Sequence, residues 1–166
     1  MTRRNAGFLL AAAHAVLVGS LGLKLLADRA RLPHGWVRTQ PFDPSTPLRG
    51  RYVRLGLEIP LSNLDTTRGA YAESGVRLSV EGDRVVGTID DSLATPRVQL
   101  RHDTDRWSAR LAQPVAFFIP EHVPDPSFRP AGEELWAEVT IPRRGPPRPI
   151  QLGVMRAGQL TPLELR

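Results

Sequence analysis

Residues 7–27 read GFLLAAAHAVLVGSLGLKLLA, an apolar run whose only charged residue is Lys24. As a helix rising about 1.5 Å per residue, the run is roughly 31 Å long. The hydrocarbon core of a bilayer is about 30 Å thick. An N-terminal helix apolar on every face has little to pack against in a domain of this size, so the run is expected to enter a membrane. Thr2-Arg3-Arg4 stand two residues before it, the format of an export signal. Ser20-Leu21-Gly22 offers a small-x-small cleavage site. Cleavage there would leave Leu23, Leu25 and Leu26 as an apolar start to the mature chain, so an uncleaved anchor is the expected form. Lys24 suits an anchor, because a lysine near a helix end can carry its amine to the interface.

Basic residues lie on both flanks, with Arg3 and Arg4 before the run and Lys24, Arg29, Arg31 and Arg38 at or beyond its far end. Counting them does not orient the chain. The export-type format does, and it places the bulk of the chain outside the cytoplasm. The expected location is the inner (cytoplasmic) membrane, crossed once, with the C-terminal domain on the periplasmic side.

The chain has 22 basic and 17 acidic residues, a net charge of +5. Residues 1–31 carry +4 of this, so the remaining 135 residues are nearly neutral at +1. The flanking cations suit anionic lipid headgroups. A nucleic-acid surface needs a clustered basic face that displaces counterions, and the balance of the domain argues against one. Cysteine is absent, which removes disulfides, thiol nucleophiles and cysteine-based zinc sites. The domain must therefore hold together by its apolar core, for which about 120 residues suffice.

Residues 28–48 contain Pro33, Pro41, Pro44 and Pro47 and are expected to form a stiff stalk that becomes the first part of the fold. Within it Trp36-Val37-Arg38-Thr39 has the makings of a short edge strand. From Arg49 the apolar period becomes two, the mark of half-buried strands. Val53, Leu55, Leu57 and Ile59 alternate with Tyr52, Arg54, Gly56 and Glu58. Val76–Val80, Glu81-Gly82-Asp83 and Arg84–Ile89 make the best hairpin. Val98–Leu100, Val115–Ile119, Leu135–Ile141, Ile150–Val154 and Leu160–Leu163 complete the pattern, while 60–74 reads as a loop or one helical turn. The expectation is an all-β domain over 49–166, a small sandwich or partly open barrel of about seven to nine antiparallel strands. A tail (1–6), one transmembrane helix (7–27) and the stalk (28–48) precede it.

No residue set makes a strong chemical motif. His14, His34, His102 and His122 share no metal-ligand spacing, and Asp90-Asp91 and Asp103-Thr104-Asp105 lack the ligand pattern of a calcium loop. The serines lack a Gly-x-Ser-x-Gly context and there is no phosphate loop. Glu121-His122 is the one acid–base pair leaving an apolar strand. Neighbours on a strand point to opposite sides, so joint action there requires a bend, which Pro120 and Pro124 can supply.

Residues 41–57, PFDPSTPLRGRYVRLGL, resemble the signature of the GDYXXLXY domain family, bacterial membrane-anchored proteins. Gly50, Tyr52 and Leu55 match at the right spacing. Arg51 stands where the family has Asp, and Leu57 where it has Tyr. Phe118-Ile119-Pro120-Glu121 and Glu133-Glu134 also look like family features. The resemblance implies a single anchor, an outward β domain beside a multi-spanning membrane protein, and no enzyme activity.

On these grounds the candidate partner-binding residues are Arg49, Gly50, Tyr52, Arg54, Leu55 and Glu121. Gly50 fits a tight turn into the strand, Leu55 belongs to the core face, and Tyr52 and Arg54 lie on the other. Tyr and Arg are the side chains that most often anchor interfaces, and Gly56 is read as leaving backbone open between neighbours. The expected role is a protein-binding accessory or scaffold for an integral membrane protein, with no cofactor, metal or nucleic acid. Two alternatives stand beside it. One is a small envelope hydrolase using Glu121 with His122 or Arg49. The other is a module that binds an anionic envelope ligand at Arg49, Arg51 and Arg54.

Overall fold

The structure is a computed structural model that describes residues 3–41, 52–63, 72–92, 96–103 and 106–165. It divides into a helical unit, Met1–Leu32, and a β unit, Pro33–Arg166.

Helix α1 spans Arg3–Arg31. Of this, Gly7–Arg31 is long and apolar enough to cross a membrane. Its interior is built from alanine and leucine, which lose little on entering a helix. The two uncharged polar side chains inside the run, His14 and Ser20, are tied to the helix's own backbone, as an apolar medium requires. His14 Nδ1 donates to the Leu10 carbonyl at 2.9 Å, and Ser20 Oγ to the Leu17 carbonyl at 2.9 Å. Arg29 and Arg31 occupy the last turn, where cations oppose the negative end of the helix dipole. Pro33, without an N–H, cannot continue the ladder.

Within the expected stalk over 28–48, the described residues pass straight from helix to sheet. Asp28–Arg31 finish the helix, and β1 begins at once, His34–Pro41, as a full member of the sheet. Its Val37 and Thr39 are buried, and Thr39 Oγ1 donates to the Leu135 carbonyl at 2.9 Å. The apolar alternation Val37/Thr39 outweighs the flanking prolines. Residues 42–51 lie outside the described residues, and with them the expected Asp-Pro turn and the first half of the family-like motif.

Nine further strands follow: β2 Tyr52–Asn63, β3 Glu73–Glu81, β4 Arg84–Ile89, β5 Arg97–Asp103, β6 Arg106–Leu111, β7 Val115–Phe118, β8 Glu133–Thr140, β9 Arg148–Arg156 and β10 Gln159–Pro162. Six strands close a barrel in the order β1-β4-β3-β5-β6-β2, with β2 meeting β1 again and also touching β4 directly. The all-β expectation holds. The barrel is closed rather than partly open, and β4 runs parallel to both β1 and β2, although only antiparallel pairs were expected. Closure removes the free edges that an open sheet would expose. β8, β9 and β10 extend the sheet from the other edge of β1.

The core gathers the predicted inward positions. Leu55, Leu57 and Ile59 of β2 are at most 1% exposed, beside Val76, Val85, Val98, Leu100, Val139 and Leu152. Each such side chain contributes about 1.5–3 kcal/mol by leaving water. β6 was not anticipated. Its core positions are Ala109 and Leu111, alternating with Ser108 and Arg110, so its apolar alternation is faint in the sequence.

Candidate functional site

β2 carries its inward leucines and its outward residues on alternate positions, so the face of Tyr52, Arg54, Gly56 and Glu58 is set by the same period that builds the core. β7 pairs with the first half of β2: Tyr52 faces Phe118, Val53 faces Phe117, Arg54 faces Ala116 and Leu55 faces Val115. β7 is the last strand in the sheet order. Tyr52 and Phe118 pack with ring centroids 6.1 Å apart and planes tilted by 58°. That geometry matches the favoured tilted contact of two rings. Tyr52 is half-buried by it, whereas Phe118 remains 75% exposed. Ala116, opposite Arg54, is exposed too.

The space over Gly56 is not open backbone, as the sequence had suggested. A Cβ there would stand 2.8 Å from both Nε and Nη2 of Arg110, so the guanidinium lies flat against the glycine. Only a residue without a side chain admits Arg110 in this place. Burial pushes the Arg110 guanidinium below its usual range; Arg101 adds to this, and Glu58 opposes it.

Beyond Arg110 the outer face forms a continuous ladder of paired side chains. Arg38 Nε lies 3.6 Å from Glu58 Oε2, and Arg38 Nη2 lies 3.0 Å from Glu134 Oε1. Trp136 Nε1 donates to Glu134 Oε2 at 3.2 Å, and the Arg84 guanidinium stacks over the Trp136 ring at 4.2 Å. Trp36 fills the space a Cβ on Gly153 would need, with its Cζ3 at 2.8 Å. Most of these groups pair with one another, although Arg84 Nη1 is buried without a hydrogen-bond partner, and the ladder reads as a cover that holds β1, β2, β8 and β9 in register.

Of the six predicted site residues, the structure brings Tyr52, Arg54 and Leu55 onto one strand. Leu55 is 0% exposed and belongs to the core. Arg49 and Gly50 lie outside the described residues, as does Arg51. Glu121 and His122 are both exposed in the turn after β7, where Val123 N–H bonds to the Pro120 carbonyl at 3.2 Å. A cavity of about 370 Å³ lies elsewhere, lined by Glu73, Pro96, Arg97, Leu111, Ala112, Gln113 and Pro146. Glu121, His122 and Tyr52 take no part in lining it. Among the described residues no cluster of three His, Asp or Glu side chains is placed to hold a metal ion.

Phe118 was overlooked as a site residue. The signal was present: in Val115–Ile119 the inward positions are Val115, Phe117 and Ile119, which leaves a phenylalanine pointing outward. Phe128 is likewise 73% exposed, on a connection pinned by the fully buried Pro126. There Ser127 N–H bonds to Asp125 Oδ1 at 2.8 Å, and Arg129 Nε donates to the Pro126 carbonyl at 2.7 Å.

Comparison of the chain with known protein families, with curated proteins and with solved structures finds no match.

Proposed function

We propose that this chain is a membrane-anchored β domain, held outside the cytoplasm, that serves as a protein-binding accessory or scaffold for an integral membrane protein. Tyr52, Arg54 and Phe118 are its docking strip. The observation that carries the reading is the exposed Phe118 stacked on Tyr52 at the end of the sheet. Two aromatic rings fixed against each other lose little entropy on binding, and aromatic and arginine side chains dominate interface energetics. Helix α1 supplies the placement, since a partner in the same bilayer meets the strip at a high effective concentration. The likeness of Tyr52 and Leu55 to the GDYXXLXY signature agrees with such a role and lends it no independent support.

The test is a photo-crosslinker placed at Ala116, opposite Arg54 and two residues before Phe118 on β7, in the native membrane. The expected result is one crosslinked membrane protein that disappears in Tyr52→Ala and Phe118→Ala. The unfolding temperature of either variant should change little. An unaltered crosslink in both variants would discard the strip as a docking surface.

A further inference from the structure

Pro33 is the first residue of the β unit, and it follows the helical unit without any intervening segment. Its carbonyl accepts the Ile141 N–H at 2.8 Å. His34 faces Thr140 across the β1–β8 ladder, and Thr140 faces Arg148 across β8–β9. Residues 141–147, which join β8 to β9, therefore project past the first residue of β1. They read Ile-Pro-Arg-Arg-Gly-Pro-Pro and lead into Arg148.

Arg143, Arg144 and Arg148 are all exposed. From Val139 to Leu163 the chain has no acidic residue. Four prolines between 142 and 149, a buried Pro147 and Gly145 at a φ of 90° leave this connection few conformations. The arginines are thus presented on a stiff support and lose little freedom on binding. Two acids of the adjoining strands and turn lie against other basic side chains. Glu138 Oε1 lies 3.8 Å from His34 Nε2. Asp83, whose carbonyl accepts the Trp36 N–H, holds its carboxylate 3.3 Å from Arg84.

The chain emerges from the apolar run at the level of the lipid headgroups. Asp28–Arg31 add about 6 Å of helix beyond Ala27, comparable to one headgroup layer of about 5–8 Å. From Arg31 to Pro33 the backbone advances by at most about 7 Å. A helix seated in a bilayer therefore ties the base of the β8–β9 connection close to the lipid surface.

We propose that Arg143 and Arg144 bind the anionic phospholipid headgroups of the bilayer that holds α1, and so seat the β domain on the membrane by its β8–β9 connection. The proposal rests on reading α1 as an anchor. Guanidinium groups pair well with phosphate, and each basic residue near an anionic surface strengthens binding roughly fivefold.

Because the chain has no cysteine, one cysteine at the exposed Pro146 labels this connection alone. One at Gln159, past the far end of β9, serves as the distant control. The full-length chain is reconstituted in vesicles of phosphatidylcholine alone, or of phosphatidylcholine mixed with phosphatidylglycerol, with a headgroup-borne quencher in each. Quenching at position 146 should rise strongly with phosphatidylglycerol and fall back when salt goes from ~0.15 M to ~1 M, while position 159 stays unchanged. Arg143→Gln with Arg144→Gln should lower the ratio of seated to released connection by roughly 25-fold. These two positions lie outside the strands, so the double variant tests the surface without touching the ladder. Equal quenching in both lipids, or a phosphatidylglycerol effect that survives the double variant, overturns the proposal while leaving the anchor intact. Release of the whole chain from washed vesicles removes the anchor reading, and this proposal with it.

Discussion

Leu55 and Tyr52 stand three residues apart on β2 and do opposite work. Leu55 is completely buried, and truncating it to alanine should cost about 2–5 kcal/mol, read as a lower denaturant midpoint of the full chain in detergent. Tyr52 contributes one ring contact, so Tyr52→Ala should shift stability far less, by about 1 kcal/mol. Glycines divide in the same way. At Gly87 a Cβ would meet Ile59 Cγ2 and Val76 Cγ2 at 2.9 Å, inside the barrel. At Gly56 it meets only the movable end of Arg110. Gly87→Ala should therefore destabilise by about 1–3 kcal/mol through overpacking, and Gly56→Ala by clearly less, because the guanidinium can swing aside. Comparable losses at the two positions would mean that Arg110 is as fixed as the core. Leu55 was legible as core from its period alone, as was the outward face of Tyr52. The partner of Tyr52 was not, because Phe118 lies 66 positions away and only the β2–β7 ladder brings them together.

At the level of elements, β2 shows how much a single strand can be asked to join. Along one edge it pairs with β7 and then β6, and along the other with β1 and then β4. Pro60 falls within it, facing Ser108 of β6, just before the register irregularity at Leu61 and Asn63. A proline removes a ladder donor, so a strand containing one changes partner or bulges there. The β3–β4 hairpin offers a sharper test. Its turn has Gly82 at a φ of 61°, and its open end is tied where the Asp90 carboxylate accepts from the Ser92 hydroxyl and from Arg77 Nη2 at 2.6 Å. Those bonds, Ser92 first and then Arg77, hold the Asp90 carboxyl below its ordinary value of 3.8. A depressed folded-state value means the contribution to stability is complete above the unfolded-state value and is lost as pH falls through the folded one. Ser92→Ala should raise the Asp90 midpoint in a carboxyl NMR titration and flatten the acid limb of the stability curve. A midpoint indifferent to Ser92 would show that the tie is not formed in solution. The hairpin itself was evident from Val76–Ile89. β6 was not, since Ala109 fills a core position with a side chain too small to mark a strand.

For the whole molecule, the most consequential expectation is sidedness. A phosphatase fused after Arg166 should be active and a fluorescent reporter that matures only in the cytoplasm should stay dark; the reverse pattern would place the docking strip on the wrong side for the proposed role. The apolar helix and the all-β character behind it were determined by sequence alone. Both depend on periodicity and run length, which are properties of neighbouring residues: Gly7–Ala27 is apolar whatever surrounds it, and Val53, Leu55, Leu57 and Ile59 share a face in any strand. Tertiary structure decided what depends on distant residues meeting. Whether the sheet closes was settled by β2 and β4 running side by side. Whether His34–Pro41 serves as stalk or strand was settled by Val37 and Thr39 finding Leu135 and Ala137 about a hundred positions later. Which outward side chains are covered and which stay exposed followed from the same pairing: Arg110 lies down on Gly56, Arg38 is claimed by Glu58 and Glu134, and Phe118 is left facing solvent beside Tyr52. Local alternation marks a side chain as outward, but exposure is a property of what the rest of the chain brings to lie against it.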